Sequence, residues 1–311
     1  MAHTGFIFPG QGSQTVGMGV ELAAESAAAR AVFDEVDDAL GENLFQLMAE
    51  GPEEQLRLTR NAQPALFASS LAVVRALQEA TGQTLAQLGI MVAGHSLGEY
   101  AALASVGTLN IPAEARLLRL RGDSMQAAVP VGSGAMAALL GADMEQAAEF
   151  VAAGSAAGLV QIANDNAPGQ IVISGELAAI EAAMQAARDG GLRRVMQLPV
   201  SAPFHCDLMA PAAAVMAEAL ADTDLQTAQL PVYCNVTAAP ETEAARLRDN
   251  LVEQVTGRVR WRETLAAMQQ DGAGRFIELG TGKVLSGLVK RTLEGVEIAN
   301  IERLADIEGL W

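Results

Sequence analysis

The amino-acid sequence predicts an α/β fold in which a mainly parallel sheet is covered by helices and carries a smaller inserted unit. Short apolar segments alternate with Ala- and Leu-rich segments of helical length, which is the pattern of parallel α/β sheets. In the middle of the chain the predicted order changes to βαββαβ, the split βαβ pattern. Half of the 311 residues are hydrophobic, so the chain can bury a core large enough for both parts.

The N-terminal part of the chain supplies the start of the large sheet. Residues 5–8 are apolar and end at a Pro-Gly pair, which predicts a buried strand that enters a loop. Residues 88–93 predict a second buried strand, followed by a helix from Leu97 onward. Between the two strands, Ala-rich stretches predict helices at residues 20–39 and 64–80.

The middle of the chain contains six further predicted elements. In chain order they are the strand 135–140, the helix 144–153, the strands 159–163 and 170–174, the helix 176–189 and the strand 193–198. We interpret residues 129–198 as a small ferredoxin-like subdomain. The large domain would consist of residues 1–128 and 199–311, with later strands at 232–236 and 276–279. A cleft between the two parts is the expected place for a ligand.

Composition and charge exclude several classes of function. With 37 acidic and 20 basic side chains the formal net charge is −17, which argues against nucleic acids and anionic membranes as partners. No long window is continuously apolar, and the N-terminus lacks the features of a signal peptide. The two cysteines, Cys206 and Cys234, form no CxxC pair and indicate reduced thiols in a cytoplasmic protein. No group of side chains has metal-ligand spacing, so no metal is expected.

The segment GHSLG, residues 94–98, fits the G-x-S-x-G pattern of a nucleophile elbow. It follows a predicted strand and precedes a predicted helix, a context that presents the Ser96 hydroxyl close to the helix N-terminus. The two glycines leave room for the tight turn. The alternative is a serine that only caps the helix. We predict that Ser96 is a nucleophile and that the large domain is hydrolase-like.

A serine nucleophile requires a base, and the chain has three histidines. His3 lies at the terminus, and His95 adjoins Ser96 on a turn, where neighbouring side chains point apart. His205 is therefore the predicted base, and a purely structural histidine is the alternative. A triad would add an acid that orients the histidine, but Asp207 is too close in sequence to do so. A Ser–His pair oriented by a backbone carbonyl stays open.

A buried cation is predicted on the helical segment 114–125. Arg116, Arg119 and Asp123 share one helical face, and the two arginines are interpreted as solvated, whereas Arg121 falls on the apolar face. A guanidinium among apolar neighbours requires a carboxylate partner. That partner is either an internal Asp or Glu or a carboxylate of the substrate. A local cation would also offset the repulsion of an anionic substrate by the net charge.

Two glycine-rich segments, residues 9–14 and 280–284, resemble nucleotide-binding loops but lack residues that such loops need. Thr15 occupies the position of the last glycine of G-x-G-x-x-G, and no Ser or Thr follows Lys283. No nucleotide cofactor is therefore predicted.

Seven short motifs occur in order along most of the chain. They are FPGQGSQTVGMG, QPALF, AGHSLGEYAAL, RLRGDSMQ, NDNAPGQIVISG, APFHC and IELGTGKVLSGLVKR. Together they resemble the malonyl-CoA:acyl carrier protein transacylases of fatty-acid synthesis, which are homologous to the acyltransferase domains of polyketide synthases. The resemblance extends from residue 6 to about residue 291.

The resemblance implies a role for each matched residue. Ser96 would carry the acyl group, and His205 would be the general base and acid. The backbone N–H groups of Gln11 and Leu97 would form the oxyanion hole. Arg121 would bind the malonyl carboxylate, in agreement with its position on an apolar helix face.

Further pocket residues come from the same resemblance. Gln63 and Asn164 are expected to line the pocket, together with Met125, which shares the apolar helix face of Arg121. Phe204 directly precedes the histidine, as in polyketide acyltransferases that use malonyl groups. It is expected to narrow the pocket around the α-carbon of the acyl group and to disfavour methylmalonyl groups.

The resemblance also accounts for the missing triad acid. In this family a backbone carbonyl near a QxxxxVxW segment orients the histidine, and here that segment begins at Gln254 and ends at Trp261. Gln254 is therefore the expected histidine-orienting residue. The family pattern has a proline directly before V-x-W, where this chain has Arg258. The effect of this departure on the loop near the histidine is open.

The implied reaction is a ping-pong transfer of the malonyl group from malonyl-CoA to the phosphopantetheine thiol of acyl carrier protein, through a malonyl-serine ester. No cofactor is implied, because a thioester is already activated. A serine esterase or thioesterase is an alternative, but it leaves Arg121 unexplained. A non-catalytic scaffold leaves both Ser96 and His205 unexplained. An acyltransferase of a polyketide or malonate-decarboxylase system stays open.

Overall fold

The computed structural model describes residues 3–310 and is a mixed α/β structure built on two sheets. One sheet has six strands and is largely parallel, and the other has four strands and is antiparallel. In the described part of the chain the strands are β1 (His3–Phe8), β2 (Met91–Gly94), β3 (Gly134–Leu140), β4 (Val160–Ala167), β5 (Gln170–Glu176), β6 (Arg194–Gln197), β7 (Val232–Tyr233), β8 (Pro240–Glu241), β9 (Ala273–Leu279) and β10 (Glu297–Ile301).

Helices connect most of these strands. Within residues 3–310 the α-helices are α1 (Val20–Glu25), α2 (Ala27–Leu40), α3 (Leu44–Glu50), α4 (Glu53–Leu56), α5 (Thr59–Thr81), α6 (Leu85–Leu88), α7 (Gly98–Ser105), α8 (Ile111–Ala127), α9 (Met144–Gly154), α10 (Leu177–Asp189), α11 (Ala210–Ala221), α12 (Ala244–Thr256), α13 (Trp261–Gln270), α14 (Val284–Thr292) and α15 (Leu304–Glu308). None of the helices described there combines the length and hydropathy needed to cross a membrane.

The six-stranded sheet has the order β10-β9-β1-β2-β7-β8, and only the β7–β8 pair is antiparallel. Helices cover both faces. Phe6 and Phe8 point into a core to which α2 and α5 contribute, whereas Ile7 points into the opposite core, beside α13 and α14. In the parallel pairing of β1 and β2, Phe8 lies opposite Gly94, so the loops that follow both strands meet at one edge of the sheet.

The four-stranded sheet has the order β4-β5-β3-β6 and all its neighbours are antiparallel. Its element order, β3-α9-β4-β5-α10-β6, is the predicted βαββαβ order. Side chains alternate between its faces: Leu139 and Ile173 join a separate apolar core with α9 and α10, whereas Met136 and Val172 belong to the core of the larger sheet. One face of the small sheet is thereby turned toward the larger part of the protein.

The predicted single helix over residues 20–39 is wrong, because two helices occupy this region. They meet at Ser26, whose backbone is extended with φ −125° and ψ 119°. The Ser26 hydroxyl accepts a hydrogen bond from the Ala29 N–H at 3.1 Å. This cap satisfies one of the free N–H groups at the start of α2 and fixes the break.

The predicted helix start at Pro64 is also wrong, because α5 begins at Thr59. Proline has no N–H to donate to the carbonyl of Arg60, four residues earlier. Arg119 compensates, since its Nη1 donates to that carbonyl at 2.7 Å and its Nη2 contacts Glu42 at 2.6 Å. The interpretation of Arg119 as solvated is therefore wrong; only 11% of its side chain is exposed.

Several strand boundaries differ from the prediction as well. The predicted strand over residues 232–236 is reduced to the two residues of β7. The strand predicted to end at residue 163 continues to Ala167, so only residues 168–169 separate β4 from β5. Edge strand β10 was not predicted. Its burial is low over most of its length, so the apolar pattern that marks a buried strand is weak there.

A backbone junction connects the small sheet to the larger part of the protein. The Val259 N–H donates to the Ala163 carbonyl at 2.8 Å, and the Asp165 N–H donates to the Val259 carbonyl at 2.9 Å. The Asp165 carboxylate, whose side chain is 1% exposed, accepts from Arg262 Nη2 at 2.7 Å. The segment around Val259 thus pairs alongside edge strand β4, and these contacts join the two walls of the cleft.

Candidate active site

Ser96 lies at the turn between β2 and α7, at the carboxyl edge of the larger sheet. Its backbone φ is +52°, a left-handed conformation that residues other than glycine rarely adopt. A Cβ atom on Gly94 would collide with the backbone of Gly98, and one on Gly98 would collide with the carbonyl of Phe8. Close backbone approach therefore requires both motif glycines, and the turn presents the Ser96 hydroxyl to the cleft.

The Ser96 hydroxyl contacts an imidazole from a distant segment. Ser96 Oγ lies 2.8 Å from His205 Nε2, and His205 Nδ1 lies 2.9 Å from the backbone carbonyl of Gln254. A carbonyl accepts only, so Nδ1 carries the proton and Nε2 is free to accept one from the serine. Burial, together with the charge of Arg121, lowers the pKa of His205 to about 3. The neutral imidazole has the geometry of a general base.

Arg121 approaches the same hydroxyl from α8. Its Nη2 donates to Ser96 Oγ at 3.2 Å and to Gln254 Oε1 at 2.9 Å, and its Nη1 donates to Gln63 Oε1 at 2.8 Å. These partners are all neutral, and among residues 3–310 Arg121 forms no salt bridge. Burial lowers the pKa of Arg121, but an arginine starts high enough to stay charged at neutral pH. The site therefore contains a desolvated cation that lacks a direct anionic partner.

Glu99 lies behind this group of side chains, on α7. Its Oε2 accepts from Gln254 Nε2 at 2.8 Å and from the Asn235 N–H at 2.9 Å. The same Gln254 amide also donates to the backbone carbonyl of Ser96 at 3.1 Å. Burial raises the pKa of Glu99 to about 7, and these hydrogen bonds and Arg121 oppose the rise. The carboxyl group is therefore linked to the arginine only through an amide.

A cavity of about 420 Å³ opens above the Ser96 hydroxyl, between the two sheets. Its lining includes nine of the ten site residues that were predicted from the sequence: Gln11, Gln63, Ser96, Leu97, Arg121, Met125, Asn164, Phe204 and His205. The tenth, Gln254, lies behind Arg121 and His205 and is fully buried. Both predicted oxyanion donors, Gln11 and Leu97, thus border the space beside the nucleophile.

A chain of polar side chains fixes one wall of the cavity. Gln63 Nε2 donates to Thr59 Oγ1 at 3.0 Å, and Thr59 Oγ1 donates to Gln11 Oε1 at 3.3 Å. The same Gln63 amide accepts from Arg121, so Gln11 and Arg121 are connected through two intermediate residues. The helix start that sequence analysis missed, at Thr59, is therefore part of the site.

Several residues that line the cavity were not predicted from the sequence. His95 was set aside as a base, yet its Nε2 lies 2.8 Å from Asn166 Oδ1 across the cleft, and its ring contacts Trp261 edge-on. Arg57 borders the cavity as well. His95 and Asn166 lie within two of the quoted motifs, AGHSLGEYAAL and NDNAPGQIVISG, but neither motif indicates that the two side chains are in contact, and Arg57 lies in no motif.

Arg258 occupies the position of the proline in the family pattern, and other contacts order the loop before α13. Arg258 Nη2 lies 3.4 Å from Glu263 Oε1, so the side chain turns along its own segment. The next residue, Val259, pairs with β4 in a parallel bridge to Asn164. Backbone pairing therefore holds this loop beside the cavity without the proline of the family pattern.

The sequence model of the acyl transferase domain family matches residues 5–307, almost the entire chain. The chain belongs to this family. The resemblance inferred from the seven motifs is thereby confirmed.

Relatives of this acyltransferase cover nearly its full length. A malonyl CoA-acyl carrier protein transacylase from Bacillus subtilis (strain 168) is 44% identical over 311 residues, covering 98% of this chain and 96% of the relative. The crystal structure of an acyl-carrier-protein-S-malonyltransferase from Bartonella henselae superposes with a TM-score of 0.97 at 48% identity, covering 99% and 98% of the two chains. A malonyl-transacylase solved in complex with a type II polyketide synthase acyl carrier protein gives a TM-score of 0.94 at 39% identity, covering 99% and 98%.

Proposed function

We propose that this acyltransferase moves a malonyl group from malonyl-CoA to the phosphopantetheine thiol of acyl carrier protein in fatty-acid synthesis. The observation that carries the proposal is the Arg121 guanidinium, which contacts the Ser96 hydroxyl at 3.2 Å and, within residues 3–310, has neutral hydrogen-bond partners. A malonyl thioester brings the carboxylate that this cation lacks, and an acetyl thioester does not. The names of the relatives, which are malonyl transacylases, support the same substrate.

In the first half-reaction Ser96 Oγ attacks the carbonyl carbon of the thioester while its proton passes to His205 Nε2. The backbone N–H groups of Gln11 and Leu97 stabilise the oxyanion that forms. The tetrahedral intermediate then collapses, the C–S bond breaks and coenzyme A leaves with the proton held by His205. A malonyl ester of Ser96 remains, and the Gln254 carbonyl keeps the imidazole in the required tautomer throughout.

In the second half-reaction the carrier thiol gives its proton to His205 Nε2, and its sulfur attacks the ester carbon. The same oxyanion donors act again. The bond between the acyl carbon and Ser96 Oγ breaks, the oxygen regains the proton, and the malonyl group leaves as a new thioester. Because both thioesters are activated already, these steps need only the nucleophile, the base and the oxyanion donors.

The cavity walls support selection for a small acyl group that carries a carboxylate. We infer that Gln63 holds Arg121 in position, because its amide accepts from the guanidinium at 2.8 Å. Met125 and Phe204 are buried apolar lining residues that limit the width of the cavity. Asn164 lines it from the small sheet and offers an amide to the acyl group or to the pantetheine arm.

We also propose that residues 1–128 and 199–311 form a hydrolase-like catalytic domain and that residues 129–198 form an inserted ferredoxin-like subdomain. The four-stranded sheet supports this division, because it has an apolar core of its own and the order β4-β5-β3-β6. A cytoplasmic location stays a prediction, supported by the free buried thiols of Cys206 and Cys234.

Intact-mass spectrometry after incubation with malonyl-CoA alone tests the nucleophile. We expect one malonyl adduct, located by digestion on the peptide that contains Ser96. The variant Ser96→Ala should lose the adduct, and Ser105→Ala, which changes another serine of the same segment, should keep it. An adduct that persists on the Ser96→Ala protein would refute the assignment.

Addition of holo acyl carrier protein then tests the acceptor. The carrier protein should remove the malonyl group from the enzyme and appear as malonyl-carrier protein. Steady-state hydrolysis of malonyl-CoA without an acceptor would instead favour the esterase or thioesterase alternative. Because one relative was solved with a polyketide carrier protein, fatty-acid and polyketide carriers should be compared side by side.

A further inference from the structure

Asn235 follows the short strand β7 and is fully buried beside the nucleophile. Its side-chain oxygen accepts a hydrogen bond from the Ser96 N–H at 2.7 Å. Its side-chain nitrogen donates to the Gly94 carbonyl at 2.7 Å. One amide therefore contacts the backbone on both sides of His95 and spans the turn that carries the nucleophile.

The backbone of Asn235 is itself held from two directions. Its N–H donates to Glu99 Oε2 at 2.9 Å, and its carbonyl accepts from the Arg260 N–H at 3.0 Å. Glu99 Oε2 also accepts from Gln254, the residue whose carbonyl orients the base. The amide that spans the elbow is thus anchored to the segment that sets the imidazole.

The backbone conformation of Ser96 shows why the hydrogen bond from its N–H to Asn235 matters. With φ at +52°, the serine occupies a sparsely populated region, and such strain persists only where surrounding contacts over-determine it. The Ser96 N–H is a donor near the start of α7, where N–H groups have no partner within the helix. Asn235 supplies the acceptor that this N–H needs in its strained orientation.

We propose that Asn235 is a positioning residue that holds the Ser96 backbone in its strained conformation and so keeps the hydroxyl aligned with His205. The proposal rests on the proposed function, in which Ser96 is the nucleophile. Asn235 is not among the residues that line the cavity, so it acts through Ser96. Loss of its amide should therefore slow the attack on the thioester and leave substrate binding in place.

The first test is single-turnover acylation of Asn235→Ala by malonyl-CoA over a range of concentrations. We expect the limiting acylation rate to fall on the order of 100-fold, as when a catalytic group is displaced. The malonyl-CoA concentration that gives half of this rate should stay within about twofold of the value for the parent protein. The matched control is Asn300→Ala, which removes a partly buried amide that donates to the Gly282 carbonyl at 2.8 Å and should keep the parent rate. An unchanged limiting rate, or a change confined to half-saturation, overturns the proposal.

A second variant, Asn235→Asp, keeps the test informative if the alanine protein fails to fold. Burial raises the pKa of an introduced carboxyl, and Glu99, Cys234 and Arg260 are the titratable or charged groups beside it. When neutral it can accept from the Ser96 N–H and donate to the Gly94 carbonyl, and when ionised it cannot donate.

The acylation rate of Asn235→Asp, divided by that of the parent protein, should therefore be on the order of tenfold higher at about pH 6 than at about pH 9. A ratio that does not change with pH overturns the proposal.

Reaction with a serine-directed fluorophosphonate separates this inference from the proposed function. The probe reports the reactivity of Ser96 without a malonyl group, so it applies even if malonyl-CoA proves not to be the substrate. Labelling of Asn235→Ala should be slowed on the same scale as acylation, and Asn300→Ala should label like the parent. A parent protein that takes up the probe but no malonyl group would refute only the proposed function, whereas equal labelling of both variants would refute the role of Asn235.

Discussion

Arg121 Nη2 lies 3.2 Å from Ser96 Oγ, so a buried cation contacts the hydroxyl that is placed to attack. The proposed base lies 2.8 Å from the same oxygen, at His205 Nε2. The buried cation and the proposed base therefore meet at one oxygen atom, Ser96 Oγ. A carboxylate that binds Arg121 can replace the hydroxyl as its partner and leave Ser96 to its base.

Removal of this cation should change acyl selectivity. We expect Arg121→Ala to reduce acylation by malonyl-CoA by about 3 kcal/mol, on the order of 100-fold, because a buried charged pair loses one partner. Acylation by acetyl-CoA, which has no carboxylate, should change much less. Single-turnover kinetics with both thioesters measure the ratio. Arg116→Ala, on the exposed face of the same helix, is the control that should keep it.

An equal loss with malonyl-CoA and acetyl-CoA would mean that Arg121 supports the structure and does not bind the substrate carboxylate.

The pH dependence of acylation should reflect the lowered pKa of His205. Burial and the charge of Arg121 hold that pKa at about 3, so the imidazole stays neutral across the neutral range. We expect the acylation rate at saturating malonyl-CoA to stay level from about pH 9 down to about pH 5, where an unperturbed histidine would already be protonated. A stopped-flow pH profile measures this, and a tenfold decline centred near pH 6.5 would contradict the lowered value.

The width of the cavity around the α-carbon of the acyl group should depend on Phe204. Replacement by alanine removes a buried ring from the cavity wall and makes room for one extra methyl group. We expect Phe204→Ala to raise the rate with methylmalonyl-CoA relative to malonyl-CoA by about 10-fold or more, the scale on which pockets discriminate one carbon. Competition between the two thioesters, read by mass spectrometry, gives the ratio.

Phe45→Ala, which removes a partly buried ring in α3 away from the cavity, is the control for the Phe204 variant. An unchanged ratio of methylmalonyl to malonyl transfer in Phe204→Ala would exclude this residue as the limit on width.

Stability should depend on pH through Glu99. Its pKa is about 7 in the folded protein and near the ordinary value of 4.5 when unfolded, so between these values the folded state holds a proton that the unfolded state has released. The free energy of unfolding should therefore fall as pH rises through this window, by up to about 1.4 kcal/mol per pH unit. Glu99→Gln removes this contribution. Urea titrations across the window should give a shallower decline for the variant, and parallel curves would rule out Glu99 as the source.

Much of the candidate site could be predicted from local sequence. The glycines around Ser96 are required by backbone contacts within and beside the motif, and such contacts leave a readable pattern. His205 could be selected because few histidines compete for the role of base. Arg121 could be selected because a cation on an apolar helix face needs a partner, whether internal or brought by the substrate.

The remaining features depend on contacts between distant segments. Asn235 contacts Ser96 across 139 positions of sequence, and nothing near an isolated asparagine marks that contact. Pro64 lies inside a helix because Arg119, on another helix, bonds the carbonyl that the proline leaves free. Ser26 caps the start of α2 and so divides the region that was predicted as one helix. The Ala-rich periodic pattern of that region gives no sign of the cap. In each case, contacts formed in the folded protein determine a structure that the local sequence pattern does not indicate.

The backbone pairing of Val259 with β4 bears on the width of the cleft. The two walls of the cleft are joined by main-chain hydrogen bonds and by the ion pair of Arg262 with the buried Asp165 carboxylate, so the walls cannot separate at this point without breaking these contacts. Under the proposed function, we expect this junction to limit how far the cavity can widen around a bulky acyl group.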